Sequence, residues 1–113
     1  MTKMILKTGL ALAMLTAFAG CALTSADVSR NPAQAPMPPT SSAEIVTAAP
    51  AGAPSLGTVD VQANNYADPS DCTKRLLSEA AKLGGDSVVV TYQNGGVSGR
   101  GPRCKGDVYH ASK

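Results

Sequence analysis

The 113-residue sequence has no tryptophan, one phenylalanine, three tyrosines and a single histidine. A chain so poor in rings must build its core from small aliphatic side chains, which bury less area per residue. One histidine, no clustered carboxylates and no nucleophile beside a base argue against hydrolytic chemistry. The expectation is a non-enzyme with no cofactor, no metal and no small-molecule substrate. Charge of one sign is also lacking. The net +2 comes from Lys3 and Lys7, and from Cys21 onward eight basic side chains meet eight acidic ones. A basic patch is absent, and nucleic acid is not an expected partner. No apolar run reaches the ~20 residues of a membrane span.

What the sequence does have divides into three segments. Residues 1–20 open with two lysines and continue as Gly9-Leu-Ala-Leu-Ala-Met-Leu-Thr-Ala-Phe18-Ala19-Gly20. A charged start, a short apolar stretch and small residues at the end form the pattern of a secretory signal peptide. Phe18-Ala19-Gly20-Cys21 resembles the bacterial lipobox, with Phe18 where leucine is usual. The resemblance implies cleavage before Cys21 and acylation of its thiol and amine, palmitate included. Two or three chains, at ~0.8 kcal/mol per buried methylene, make a stable anchor. Ordinary cleavage after Ala19 is the alternative, because Ala17-Phe18-Ala19 also fits a small-x-small site. By resemblance to Gram-negative lipoproteins, Ala22 rather than aspartate after the cysteine implies sorting to the outer membrane, with the domain facing the periplasm.

Residues 21–56 read as a lipidated N-terminus followed by a disordered tether. Thr24–Leu56 holds six of the eight prolines and eight alanines, with Asp27, Arg30 and Glu44 as its only charges. Prolines at this density sustain neither a helix nor a central strand. As a flexible coil the segment would reach ~30 Å, and ~100 Å if polyproline-like. A proline-rich recognition peptide is the alternative, although no P-x-x-P flanked by a basic anchor stands out.

Residues 57–113 carry the periodicity. Thr58-Val-Asp-Val-Gln-Ala63 alternates like a half-buried strand. Asp68-Pro69 starts a helix, on which Cys72, Leu76, Ala80 and Leu83 share a face and Leu77 lies at its edge. Asp71 and Arg75 stand at the spacing of an ion pair, and Gly84-Gly85 ends the helix. Ser87–Tyr92 and Arg103–Ala111 read as two further strands. The predicted fold is a small α+β, two-layer β-α-β-β domain: one helix on a three-stranded mixed sheet. The first two strands run parallel and the third returns antiparallel. Parity puts Val59, Val61, Val88, Val90, Tyr92, Cys104 and Val108 toward the helix, and Thr58, Asp60, Gln62, Thr91, Lys105 and Asp107 toward water.

Cys72 and Cys104 both fall on core-facing positions, and an even pair in an exported protein predicts a disulfide. Closing about 33 residues contributes roughly 3–4 kcal/mol in the chain-entropy model. The competing use is a metal site of Cys72, Cys104 and His110. Six residues separate Cys104 from His110, roughly 20 Å along a strand, which disfavours it. The glycine-rich stretch 94–102 precedes a strand rather than a helix, unlike a phosphate loop. Arg100 and Arg103 are therefore the candidate partner-contact residues.

Three runs, Gly57-Thr-Val-Asp-Val, Glu79-Ala-Ala-Lys-Leu-Gly-Gly-Asp-Ser-Val-Val-Val and Arg103-Cys-Lys-Gly-Asp-Val-Tyr, resemble small envelope lipoproteins of the RcsF type and YbjQ-type domains linked to heavy-metal binding. The resemblance spans about half the chain. It implies the β-α-β-β core, a lipidated N-terminus, a tether and an envelope protein as partner. RcsF-type sensors carry four domain cysteines in two bridges, whereas only Cys72 and Cys104 match here. The function expected is an outer-membrane-anchored, non-catalytic interaction or stress-sensor module. The alternatives are a structural envelope lipoprotein without signalling and a metal-binding periplasmic domain.

Overall fold

The computed structural model describes residues 23–96 and 100–111. The segment read as a signal peptide, residues 1–20, and Cys21 lie outside the described residues. Alternation of valine with polar residues makes β3 (Ser55–Ala63), whose Val59, Val61 and Ala63 are buried. Asn64–Ala67 turns the chain into α1 (Pro69–Lys82). Pro69 supplies the first helical position, where its missing N–H costs nothing. Beside it, Asp71 accepts the backbone N–H of Asp68 at 2.8 Å. The helix buries Cys72, Leu76, Ala80 and Ala81 and stops where Gly84 takes φ +91°, a value that side chains with a Cβ rarely adopt. Then come β4 (Ser87–Asn94) and β5 (Arg103–Tyr109).

β5 pairs antiparallel with both β3 and β4 and lies between them, so β3 and β4 run parallel on either side of it. One helix on these strands is the expected two-layer arrangement. The core is Val59, Val61, Leu76, Val88 and Val108 around the two cysteines, each with at most 2% of its surface exposed. Full burial of a side chain of this type contributes ~1.5–3 kcal/mol. Gly106 faces inward, and a Cβ there would stand 2.6 Å from Val88 Cγ1, so the absent side chain makes room for β4.

The three-stranded expectation needs correction: with β1 (Thr24–Arg30) and β2 (Glu44–Val46) the sheet has five strands, in the order β1-β3-β5-β4-β2. Both additions come from the segment read as tether. β1 pairs antiparallel with β3, from Thr24 opposite Ala63 to Arg30 opposite Gly57. β2 pairs parallel with β4 at the other edge. Proline is compatible with this because the six prolines of the segment lie between the strands rather than in them. The connecting strap makes its own contacts. Asn31 bonds the Ser55 and Leu56 carbonyls, Met37 packs beside Gly84, and Thr40 donates to Ala81 O and, through its hydroxyl, to Gly85 O. The first of Thr40's bonds is made to a carbonyl of the last helical turn, where four have no partner within the helix, and the second to the Gly85 carbonyl just past it.

Two finer expectations also change. A β-bulge between Val90 and Tyr92 shifts the parity of β4, so that Tyr92 pairs with outward-facing Lys105 and is 46% exposed. Asp71 is occupied by the helix cap, and Arg75 bonds Glu79 at 2.9 Å and Thr24 on β1 instead.

Candidate functional site

With α1 on one face, the opposite face of the sheet carries the polar residues of alternate positions. Strand pairing sets Asp27, Asp60, Lys105 and Tyr92 in one row across β1, β3, β5 and β4. Ser25, Gln62, Arg103 and Asn94 form the next row. Arg103 reaches diagonally between the rows. Its Nε donates to Asp60 Oδ1 at 3.0 Å and its Nη2 to Asp60 Oδ2 at 2.6 Å, a bidentate fork that fixes the guanidinium plane. The same guanidinium lies 5.7 Å from the centre of the Tyr92 ring, within cation–π range. Asn94 donates to the Tyr92 hydroxyl at 3.3 Å. Ser25, Asp27, Asp60, Gln62 and Arg103 line a shallow polar hollow of about 180 Å³.

The electrostatics follow from this geometry. The Arg103 hydrogen bond holds the Asp60 carboxyl below its ordinary range; partial burial opposes the shift, and the Arg103 and Lys105 charges assist it. Asp60 in turn raises Arg103 further above its already high value. An ionised, doubly bonded carboxylate is a poor proton carrier near neutrality. It is a good device for presenting a fixed arginine and an exposed aromatic edge.

Of the partner-contact pair read from the sequence, Arg103 belongs to this cluster. Arg100 does not: it lies beyond the start of β5, exposed, beside the 64–67 turn. Residues 97–99 of the stretch between β4 and β5 lie outside the described residues. The alternation of the sequence marks Asp60 as a solvated strand residue and points Tyr92 inward. The β3–β5 register brings Asp60 to Arg103, whereas Tyr92 reaches it only through the β4 bulge, and Val-Val-Val-Thr-Tyr carries no glycine or proline to announce that bulge.

Cys72 and Cys104 form the disulfide, with Cα atoms 6.2 Å apart, joining the first turn of α1 to β5. The bridge consumes the thiolates that the metal alternative required. His110 sits past the other end of β5, its Nδ1 donating to Gly84 O at 2.9 Å. Among the described residues, no cluster of histidine, cysteine and carboxylate side chains could hold a metal ion. No helix there is long and apolar enough to cross a membrane.

A second, open groove of about 460 Å³ runs between residues 39–43 and α1, with Leu77 and Ala81 in its floor and Lys74 and Lys82 among its lining. No known protein family matches the chain, and no similar curated protein or solved structure was found.

Proposed function

We propose that this chain is a lipid-anchored, non-catalytic interaction module of the bacterial outer membrane. Cys21 bears the anchor, and the exposed sheet face engages an envelope protein. The observation that carries the reading is the Asp60–Arg103–Tyr92 constellation on a face that α1 leaves uncovered. Arginine and tyrosine are enriched where protein surfaces meet, and a side chain already fixed by a fork loses little entropy on binding. The Phe18-Ala19-Gly20-Cys21 sequence supports the membrane half of the reading.

Photo-crosslinking in cells expressing the native chain tests it. A photoreactive phenylalanine analogue at Tyr92 is expected to trap one envelope protein, and the same group at Ser78 on the outer side of α1 is not. Arg103→Ala should remove the Tyr92 adduct while leaving the protein folded and exported. An adduct indifferent to position and to Arg103, or none, would sink the reading.

A further inference from the structure

The strands, the helix and their connections have a defined polarity. β3 and β4 end, and β1, α1 and β5 begin, at one pole of the domain. Asn64 N–H donates to Leu23 O, Tyr66 N–H donates to the Asn64 side chain, and Gly101 packs on the Ala63 and Asn64 carbonyls. Leu23, Tyr66 and Arg100 therefore share this pole. Two of them are apolar surfaces open to solvent: Tyr66 is 91% exposed and Leu23 is 44% exposed. At the opposite pole lie the start of β3, where the 47–54 connection ends, and residues 110–111, which follow β5. The nine residues of β3 separate the two poles by roughly 30 Å at ~3.3 Å per residue.

Cys21 lies three residues before Thr24. Whatever conformation those residues take, three Cα–Cα steps span at most ~11 Å. A tether of 30 to 100 Å is thus not available to an anchored chain whose β1 is docked on β3. We infer that the acylated protein is held flush against the bilayer, with the Leu23–Tyr66–Arg100 pole seated in the lipid headgroup layer and the opposite pole pointing away. The inference rests on acylation of Cys21. Its chemistry suits the place. A tyrosine presents an apolar ring with a polar tip, the arrangement favoured at membrane–water interfaces. Arg100 can meet lipid phosphates. Arg100 is offset by Asp68 at the same pole, so the short leash rather than net charge sets the orientation.

The chain has no tryptophan, so a single introduced one reports its own depth. Tyr66→Trp and Ala51→Trp, both at exposed positions, are prepared as full-length acylated protein in phosphatidylethanolamine–phosphatidylglycerol vesicles. The vesicles carry a lipid with a nitroxide on its headgroup. Quenching of the Tyr66→Trp variant is expected to exceed that of Ala51→Trp several-fold and to persist in high salt. Equal quenching at the two positions, strong or absent, in protein whose mass shows an acylated Cys21 overturns the seating and leaves the anchor intact. A mass showing an unmodified cysteine overturns the anchor, and the seating with it.

Discussion

Asp60 is the residue whose ionisation the fold uses most directly. Its folded carboxyl titrates below its unfolded value, first because of the Arg103 hydrogen bond. The linked stability is therefore fully present above the unfolded value, about 3.9, and is lost as the pH falls through the lower folded value. In Asp60→Asn that contribution is absent at every pH. The melting temperature of the natural chain should exceed that of Asp60→Asn by a steady, small margin, on the order of 1–3 °C, from neutrality down to about pH 5. The margin should shrink as the pH falls below the unfolded value and close once the folded carboxyl is itself protonated. Thermal unfolding followed by circular dichroism across this range checks it; a gap that stays constant to pH 2 would assign the stabilisation to packing instead. Asp27, directly across from Asp60 on β1, faces it with like charge. The Arg103 fork and the opposite Lys105 offset that repulsion and let β1 dock there.

β1 shows how an element can form without announcing itself. Thr24-Ser-Ala-Asp-Val-Ser-Arg30 has one large apolar residue, Val28, and that one is 40% exposed. Such a strand brings little hydrophobic burial; it exists because the edge of β3 offers unpaired backbone groups. β3, α1, β4 and β5 could be read because their own side chains fill the core at periods of 2 and 3.6. β1 and β2 could not, because what holds them lies on their neighbours. The candidate site suffered likewise. Asp60 and Arg103 were visible as residues, but their meeting depends on the β3–β5 register, and Tyr92 joins them only through the bulge. Two features of other elements secure β1. Gly57, at φ +151°, leaves space for the Ser29 carbonyl, which a Cβ would strike. Arg75 reaches from α1 to Thr24 O and Oγ1 at 3.2 and 3.0 Å. Arg75→Ala should raise hydrogen exchange of the 24–30 amides by roughly tenfold, a local opening of about 1.4 kcal/mol. Amides of β3 facing β5 should be unaffected. Uniform acceleration across the sheet would show instead that β1 is inseparable from the core.

The molecule as a whole is thinly filled: among the described residues, no aromatic ring is fully buried. A domain with so little apolar volume depends on a covalent staple more than a larger one does. The Cys72–Cys104 bridge spans a sequence separation of 32 and ties the start of the helix to β5, the strand between β3 and β4. That placement matters because α1 is the sole helix covering the core among the described residues, and Cys72 is the one buried residue of its first turn. Closing a loop of this length limits the unfolded chain by roughly 3–4 kcal/mol. Replacing both cysteines with alanine removes the bridge without leaving free thiols and also empties part of the core, so the loss should be at least that large. With a denaturant sensitivity of about 1–1.5 kcal/mol per molar urea for a chain this small, the midpoint should fall by roughly 2–4 M. A fall below about 0.5 M would mean that the aliphatic core and the added edge strands suffice alone. In that case the bridge would matter for something other than holding the fold, and the thiols, rather than the staple, would become the object to study.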